Sequence, residues 1–426
     1  MSPLPQTRLR SPLLPLLGAL CLGALGVSAC SSDDNAGGSG GPGGSGGSAG
    51  SGANGGSAGT GGTGGTAGST TGGSAGTAGS ENTRSMRMGF SPWPWDATVS
   101  AVNDTYDKIA THGDLNAHHL DGGIPWEEAL AGSAYPANVE NELKGRVSRL
   151  DPSKPTYLAL APLNPARNQL ADTWGASSNM PREGAWATRD FDSPEVQTAY
   201  GNFALDLIDR FQPDYFNDGI EVSELLLNDS QAFDKYVDFA CNVYTRIKQQ
   251  HADLPVFVSV ALKHPDSADA KTMQQNFGKL LACTDWIGVS TYGYVFYGHA
   301  NAGDPDNLPE RWLSQAQDIA PGKPIAIAET GWIAEDLVIP TYSVNVKANE
   351  ENQRAYVARM LKEANALDVR FVMWFTVVDF DPFWNGLLGQ DPLAQIWRDT
   401  GLYADTNTPR TGLGEWDTWL ARTWSP

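Results

Sequence analysis

The sequence predicts a (β/α)₈ barrel, or TIM barrel, over residues 85–426. Three observations predict this fold class. Short apolar runs alternate eight times with longer segments in which apolar residues recur at three- and four-residue steps, as strands followed by helices do. The 342 residues from 85 to 426 suit one barrel domain. Polar and aromatic residues follow the ends of the apolar runs, where a barrel carries its functional mouth.

The strands and helices can be assigned in chain order. The predicted strands are MRMGFSPW, LNAHHLDG, TYLALAP, DYFNDGIEV, PVFVSVAL, WIGVSTYG, PIAIAET and RFVMWFTVV. The predicted helices are TVSAVNDTYDKIATHG, ANVENELKGRVSRL, SPEVQTAYGNFALDLIDRF, SQAFDKYVDFACNVYTRIKQQ, DAKTMQQNFGKLLAC, LPERWLSQAQDIA, NEENQRAYVARMLKEANAL and DPLAQIWRD. A doubly wound open sheet is the alternative. It would need a Gly-rich phosphate-binding turn after the first strand, and GFSPWPWD is not one.

Residues 1–30 are expected to be an export signal. A basic start with Arg8 and Arg10 precedes the run SPLLPLLGALCLGALG, which is too short and too rich in small residues for a membrane span. The following residues 27–30, VSAC, resemble a bacterial lipobox, and this resemblance implies cleavage before Cys30 and lipidation of its thiol. Ser31 then favours an outer-membrane or cell-surface lipoprotein in a Gram-negative cell. An ordinary signal peptide, cut near Cys30 and leading to secretion, is the alternative.

Residues 31–84 consist almost entirely of Gly, Ser, Ala and Thr. Such a segment has no side chains to bury and cannot offset the entropy lost on ordering. We therefore expect a disordered tether between the lipid anchor and the barrel.

The net charge of the chain indicates which classes of partner it is expected to bind. The net charge is −20, and residues 1–80 contribute nothing to it because two Arg balance two Asp. An acidic domain repels phosphate backbones, so nucleic acid is not an expected partner. A neutral substrate is compatible with the charge, as is a simple role in solubility. The sequence indicates no oligomeric state.

The cysteines leave one question open. Of the four Cys, Cys21 and Cys30 fall in the signal segment. Cys241 and Cys283 remain, and in an exported protein they could form a disulfide or stay as two buried thiols. No Cys/His spacing of the zinc type is present.

Two glutamates stand at the ends of predicted strands that face each other. Glu221 ends strand 4 and Glu329 ends strand 7, and these strands lie across the mouth of a barrel. Cleavage of a glycosidic bond requires such a pair, with one carboxyl protonated and the other ionised. A separation of about 5–5.5 Å gives retention of configuration and about 6.5–9.5 Å gives inversion. Mutual repulsion helps to separate the two pKa values.

The segments around these glutamates carry a family resemblance. AETGWIAE resembles the nucleophile segment of endo-β-1,4-galactanases and plant-type β-1,3-glucanases, and GIEVSELL resembles their acid/base segment. The tail GLYADTNTPRTGLGEWDTWL is similar to their closing segment. The chain thus resembles the clan A retaining glycoside hydrolases. The resemblance implies Glu329 as nucleophile, Glu221 as acid/base, and endo action on a β-linked polysaccharide such as β-galactan or β-glucan.

One position departs from that family. The Asn that usually precedes the acid/base residue, and that hydrogen-bonds the sugar 2-hydroxyl, is Ile220 here. Asn217, Asp218 or a loop donor could replace it, or catalysis could be weakened. Glu224 competes for the acid role, although strand alternation would put it opposite Glu221 if the strand continues that far.

Aromatic residues near the strand ends are candidates for stacking on the apolar faces of sugars. They are Trp93, Trp126, Tyr292, Trp332 and Trp374. The resemblance implies that Tyr292 contacts the nucleophile and that Trp374 forms the floor of the subsite for the cleaved sugar.

NAHHLDGG offers a metal interpretation through His118, His119 and Asp121. Adjacent residues of a strand point to opposite faces, so only one His can enter the barrel. The remaining candidates, His264 and His299, fit no metal signature, and we expect no cofactor. His119 and Asp121 share a face and are better placed to hydrogen-bond sugar hydroxyls.

Asn164 and Arg167, after strand 3, are further candidates for contacting sugar hydroxyls. Two other functions remain open. One is a non-catalytic, surface glycan-binding lipoprotein on the same scaffold, which Ile220 favours. The other is a metal-dependent hydrolase.

Overall fold

The computed structural model describes residues 82–426. The expected signal segment, Cys30 and residues 31–81 of the expected linker lie outside the described residues. Eight parallel strands form one sheet. They are β1 (Arg87–Phe90), β2 (Asn116–Leu120), β3 (Thr156–Leu160), β4 (Tyr215–Gly219), β5 (Val256–Ala261), β6 (Ile287–Thr291), β7 (Ile325–Thr330) and β8 (Phe371–Trp374). Each lies within a predicted strand.

The strands follow one another around a barrel. The sheet order is β1-β8-β7-β6-β5-β4-β3-β2, and every ladder between neighbours is parallel. The edges β1 and β2 approach each other at Asp114, just before β2, whose backbone N–H donates to the Met88 carbonyl at 2.8 Å. The Met88 N–H in turn donates to the Asp114 carboxylate at 2.7 Å. The predicted TIM barrel is confirmed.

Helices surround the sheet. They are α1 (Val99–His112), α2 (Ala137–Val147), α3 (Pro194–Phe211), α4 (Ser230–Gln250), α5 (Ala268–Asn276), α6 (Ala316–Ile319), α7 (Glu350–Ala366) and α8 (Thr411–Leu420). Further short helices cover Trp126–Ala131, Ser223–Asn228, Gly293–Phe296, Asp381–Asn385 and Gln395–Arg398.

Two predicted helices are much shorter than expected. LPERWLSQAQDIA keeps only the four residues of α6, because the Gln315 side chain hydrogen-bonds the carbonyls of Lys263 and Trp312 while the preceding residues form turns. DPLAQIWRD is helical only over Gln395–Arg398. The C-terminal helix α8 follows that short segment and packs against α7 and α1.

Apolar side chains form two separate cores. The larger core lies between the sheet and the helices. The smaller one fills the inside of the barrel, where the rings of Tyr157 and Phe371 lie 4.6 Å apart. Small residues stand beside these rings, including Ala117, Ala159 and Ala326. Alternation of large and small side chains fills the inside of the barrel below the carboxyl ends of the strands.

Cys241 and Cys283 form a disulfide that joins α4 to the 3₁₀ segment Phe277–Cys283. This resolves the alternative that the sequence left open. The bridge closes a loop spanning 42 positions on the outer, helical layer of the domain.

We expect loss of this disulfide to lower stability without changing the site. Closing a loop of this length restricts the unfolded chain by about 4 kcal/mol in the chain-entropy description. A Cys241→Ala/Cys283→Ala double variant should melt several degrees below the wild type in calorimetry. Adding a reductant should lower the Tm of the wild type and leave that of the double variant unchanged. Equal melting of all samples would contradict the prediction.

The ordered domain begins slightly before the expected boundary at residue 85. Thr83–Arg84 pair in parallel with Thr423–Trp424. The buried guanidinium of Arg84 lies 2.8 Å from the Asp114 carboxylate, and these contacts hold residues assigned to the linker against the barrel. Between residues 82 and 426, no helix combines the length and the apolar character that crossing a membrane requires.

Candidate active site

A cavity opens at the carboxyl ends of the barrel strands. It encloses about 1120 Å³, counted out to the solvent at its mouth. Its walls come mainly from the carboxyl ends of the strands and from the segments that follow them, and they bring together residues far apart in sequence. They are Ser91, Pro92, Trp93, Pro94, His119, Asp121, Arg146, Arg167, Ile220, Glu221, Glu224, Ala261, Leu262, Lys263, Ser290, Tyr292, Phe296, Glu329, Phe375 and Trp397. Seven of the sequence-predicted site residues are among them: Trp93, His119, Asp121, Arg167, Glu221, Tyr292 and Glu329.

Glu221 sits in a turn after β4 that is held to the neighbouring strand. Its backbone has φ 51°, in the left-handed region that non-glycine residues adopt at a cost of about 1–3 kcal/mol. The Glu221 N–H donates to the Ser259 hydroxyl at 2.9 Å, and the Val222 N–H donates to the Ser259 carbonyl at 2.9 Å. Two bonds to one residue of β5 thus fix the turn that directs Glu221 into the cavity.

The surroundings of Glu221 favour its protonated form. Burial raises the pKa of this carboxyl to about 7, with the nearby charge of Glu329 adding to the rise. The guanidinium of Arg167, whose Nε lies 3.5 Å from Glu221 Oε2, opposes the rise but does not cancel it. At neutral pH and below, a large fraction of Glu221 therefore carries a proton that it could donate.

Glu329 lies near the end of β7 and accepts from two side chains. The Tyr292 hydroxyl donates to Glu329 Oε1 at 2.5 Å, and His119 Nδ1 lies 3.4 Å from Glu329 Oε2. Burial raises the pKa of Tyr292 well above its usual value, so this hydroxyl stays protonated as a donor. The two carboxylate oxygens of Glu329 are therefore oriented by one group each.

The same neighbours keep Glu329 ionised. Burial by itself would raise the pKa of Glu329, but hydrogen bonding and charge from His119, the Tyr292 hydroxyl and the charge of Arg167 outweigh it, so the pKa lies below its usual value. The two glutamates of one cavity therefore have pKa values displaced in opposite directions. This is the pattern expected of a proton donor beside an ionised carboxylate.

Replacing His119 tests this arrangement. His119→Asn removes the imidazole that lowers the pKa of Glu329. As the pH falls, a reaction that needs ionised Glu329 should therefore begin to lose rate at a higher pH than in the wild type. The acid limb of the kcat/KM profile is expected to move upward. His251→Asn, at the partly exposed residue that follows α4 and outside the cavity, should leave the limb in place. An unmoved limb in His119→Asn would show that His119 does not act on Glu329.

The residues after Glu329 serve the packing of the barrel. Thr330 is buried on the opposite side of the strand, where its hydroxyl donates to the Thr291 carbonyl. A side chain at Gly331 would meet the Phe375 carbonyl at 2.5 Å, so only glycine allows this approach between the ends of β7 and β8. Trp332 is fully buried and stacks on Tyr356 at 4.4 Å. Trp332, predicted to contact substrate, is therefore a core residue instead.

Trp374 is also placed outside the cavity. It is fully buried between the sheet and the helices, where its indole N–H donates to the Thr400 carbonyl and its ring faces Trp416. Because neighbouring strand residues point to opposite faces, the next residue, Phe375, lines the cavity in its place. Trp374 therefore does not line the cavity as predicted, and the aromatic side chain that does is that of Phe375.

Of the other predicted aromatics, Trp126 does not reach the cavity. It is fully buried, stacks on Trp186 at 5.4 Å and donates to the Ala171 carbonyl. Trp93 lines the cavity and remains partly exposed. Trp397, which sequence reasoning missed, also lines it, with its ring 5.7 Å from that of Tyr292. Its only sequence signal was a place in a segment interpreted as a helix.

The paired histidines separate as strand alternation predicts. His118 is buried against Phe211 in the helical layer, and burial lowers its pKa well below the usual value. His119 and Asp121 face the cavity. Within residues 82–426, one cluster of acidic side chains is compact enough to suggest a cation-binding site, and it consists of Asp379, Asp381 and Asp399. It lies outside the cavity lining, and Arg398 and Arg410 already engage its carboxylates.

Ile220 contributes an apolar wall, and neither predicted substitute replaces the missing Asn. Asn217 donates to the Tyr157 hydroxyl at 3.1 Å and accepts from the Gly219 N–H, below the cavity. Asp218 is buried towards the helices, where the Tyr200 hydroxyl donates to its carbonyl. Of the predicted donors, Arg167 alone reaches both the cavity and Glu221. The Asn164 side chain instead accepts hydrogen bonds from backbone N–H groups of its own loop.

Glu224 faces the same cavity as Glu221, although alternation predicted opposite faces. The strand ends at Gly219, and Glu224 belongs to the short helix Ser223–Asn228, so strand alternation does not apply. Lys263 lies 2.6 Å from the Glu224 carboxylate, which is buried. Glu224 is therefore engaged by a close ion pair in the cavity wall.

Comparison with known proteins places the fold. No family model matches the sequence, and no curated protein matches it. The structure resembles an exo-beta-1,4-mannosidase from Opitutaceae bacterium strain TAV5, at 12% identity and a TM-score of 0.54 over 79% of this chain. This chain spans 59% of that protein's length.

A second likeness is to the GH5_18 protein of Streptomyces cattleya, solved in complex with Manb1-4GlcNAc. The identity is 12% and the TM-score 0.51, over 80% of this chain and 82% of that one. At such identities the likenesses show a shared barrel fold.

Proposed function

We propose that the chain is a retaining glycoside hydrolase acting on a β-linked polysaccharide or oligosaccharide. The observation that carries the proposal is the pair Glu221 and Glu329, which line one cavity at the ends of β4 and β7 with pKa values displaced in opposite directions. The aromatic walls Trp93, Phe375 and Trp397 suit the apolar faces of sugar rings.

The mechanism divides between the two carboxyl groups. Protonated Glu221 gives its proton to the glycosidic oxygen as the bond to the leaving sugar breaks. Ionised Glu329 attacks the anomeric carbon and forms a covalent glycosyl-enzyme. Glu221, now ionised, removes a proton from water, which attacks the same carbon and releases the sugar with its original configuration.

Other side chains prepare this reaction. Tyr292 and His119 hold the two oxygens of Glu329 and stabilise its ionised form, which sets the direction of attack. Burial of Glu221 keeps its proton available near neutral pH. These groups are therefore already in position before any substrate enters, because the folded barrel fixes them in place.

The substrate is proposed to be a β-galactan, a β-glucan or a β-mannan. The first two follow from the resemblance of AETGWIAE and GIEVSELL to galactanases and glucanases. The third follows from the mannosidase and the Manb1-4GlcNAc complex among the structural likenesses. Endo action is proposed because the cavity is open at its mouth and carries aromatic side chains on several sides.

A polysaccharide panel tests the proposal. The full chain would be incubated with β-1,4-galactan, β-1,3-glucan and β-1,4-mannan, and the products followed by chromatography. NMR of the first-formed anomer would distinguish retention from inversion. Oligosaccharide products of retained configuration are expected. Activity that a chelator removes would instead favour a metal-dependent hydrolase.

A glycan-binding protein without activity is the second candidate, and Ile220 favours it. This apolar residue stands directly before Glu221, where the resemblance leads one to expect an Asn that holds the sugar 2-hydroxyl. Binding of a panel polysaccharide without any turnover would support this candidate and exclude the first.

The export and anchoring of the chain are proposals from the sequence. Lipidation of Cys30 would attach the barrel to the outer membrane or cell surface through residues 31–81. Incorporation of labelled palmitate that is abolished by Cys30→Ser would support this, whereas unlabelled, freely secreted protein would indicate an ordinary signal peptide.

A further inference from the structure

We propose, building on the glycosidase function above, that Arg167 recognises an anionic group on the sugar, so that the substrate carries carboxylate or sulfate groups. The relevant feature is a cation inside the candidate active site whose binding capacity is largely unused.

Arg167 is buried in the cavity wall. Its side chain is 7% exposed, and its Nε approaches Glu221 Oε2 at 3.5 Å, a long contact. The two terminal nitrogens of the guanidinium make no hydrogen bond to any of residues 82–426. These two N–H groups, which could bind two oxygen atoms side by side, are therefore available to a ligand in the cavity.

The other cations of the cavity are engaged. Arg146 holds the Glu142 carboxylate at 2.8 Å, and Lys263 lies 2.6 Å from the Glu224 carboxylate. Among residues 82–426, Arg167 forms its one ion pair with Glu221, although its charge also lowers the pKa of Glu329. The Glu221 carboxyl must be protonated to act as the acid. In that state the guanidinium is a buried charge without an anionic contact partner in the described part of the chain, which is unfavourable until a ligand supplies one.

The loop that carries Arg167 is built to hold it. The Arg167 backbone has φ 53°, in the left-handed region, and its N–H donates to the Asn164 carbonyl at 2.8 Å. The Asn164 side chain accepts from the N–H groups of Asn168 and Gln169. The guanidinium is therefore held beside Glu221 before ligand binds, so little entropy is lost when an anion is bound.

The planar guanidinium selects the chemistry of the partner. It presents two parallel N–H groups that match the oxygens of a carboxylate or a sulfate, whereas a neutral hydroxyl accepts only one of them. Because Glu221 protonates the glycosidic oxygen, the anionic group would belong to one of the two sugars joined by that bond.

The acidic net charge of −20 does not oppose this. Repulsion between the protein surface and an anionic sugar is screened beyond a Debye length of about 8 Å at physiological ionic strength. The contact with Arg167 is made at hydrogen-bond distance inside the cavity, where screening is weak. The surface charge therefore slows approach more than it weakens the bound state.

Matched oligosaccharides test the inference. In the full chain carrying Glu329→Gln, calorimetric titration would compare β-1,4-mannotetraose with β-1,4-mannuronate tetramer, cellotetraose with β-1,4-glucuronate tetramer, and each neutral sugar with its 6-sulfate. The anionic member of at least one pair should bind more tightly. Adding Arg167→Gln should weaken that member on the order of 10- to 100-fold and the neutral one by less than about threefold.

Two further variants make the comparison specific. Arg167→Lys keeps the charge but lacks the planar fork, so it should restore binding only in part. Arg149→Gln removes the same charge from an exposed site outside the cavity and should change neither affinity.

The outcomes separate this inference from the proposed function. Equal binding within every pair, or equal losses for neutral and anionic sugars in Arg167→Gln, would overturn the inference and assign Arg167 to positioning Glu221. Hydrolysis of a neutral polysaccharide by the wild type would still support the glycosidase. Binding of an anionic tetramer that depends on Arg167, with no hydrolysis of any panel member, would retain the anion site and overturn the proposed function.

Discussion

Glu329→Ala is expected to abolish hydrolysis, lowering kcat on the order of 10⁴-fold or more. In the proposed mechanism, the change removes the carboxylate that attacks the anomeric carbon, and it leaves Tyr292 and His119 without the group they orient. Loss of a nucleophile removes the covalent pathway, and the remaining groups can provide only positioning and proton transfer. Reducing-sugar release from the best substrate of the panel is the measurement.

The control for this prediction must separate lost chemistry from lost folding. Glu329→Gln keeps the shape of the side chain and should be equally inactive, while both variants should melt close to the wild type. Glu310→Ala, at an exposed position in a turn before α6, should keep full activity. Retention of more than a few per cent of the wild-type kcat in Glu329→Ala would exclude this residue as the nucleophile.

Glu221→Gln is expected to remove the alkaline limb of the pH profile and to lower kcat/KM about 10²- to 10⁴-fold. The proposed mechanism needs Glu221 protonated and Glu329 ionised. The pKa of Glu221 is raised to about 7, so activity should fall as pH rises through that value. The pKa of Glu329 is lowered, so activity should fall only at acidic pH, below the usual range of a glutamate.

Glutamine cannot lose a proton in this range, so the Glu221→Gln profile should be flat above neutral pH. The loss should also depend on the leaving group, because a good leaving group such as nitrophenolate departs without protonation. With such a substrate, added azide should restore turnover of Glu221→Ala, since azide attacks the glycosyl-enzyme without a general base. An unchanged alkaline limb would assign the acid role elsewhere, with Glu224 the first alternative.

The barrel could be predicted because its signal is repeated. Eight apolar runs and the segments between them specify strands and helices locally, and no other arrangement of eight parallel strands separated by helices fits the pattern as simply. The segments 308–320 and 391–399 show the limit. Their apolar spacing is helical, yet turns and side-chain hydrogen bonds to the backbone replaced most of the helix.

The positions of the tryptophans could not be predicted. Each of Trp126, Trp332 and Trp374 stands near the end of a strand, and each is buried in packing between the strands and the layers around them. Tryptophan is suited both to packing in a core and to stacking on a sugar ring, because both uses need a large apolar surface. Only the direction of the side chain distinguishes the two uses, and near a strand end a shift of one residue reverses that direction.

The sequence by itself determined the fold class and predicted a glutamate at the ends of strands 4 and 7, since periodicity and position along a strand are local properties of the chain. The tertiary structure decided which side chains share the cavity with them: Arg167, Phe375 and Trp397 come from segments far apart in sequence. It also decided the states of the carboxyl groups. Burial and the neighbouring charges displace the pKa values of Glu221 and Glu329 in opposite directions, and both depend on distances that form only when the barrel closes.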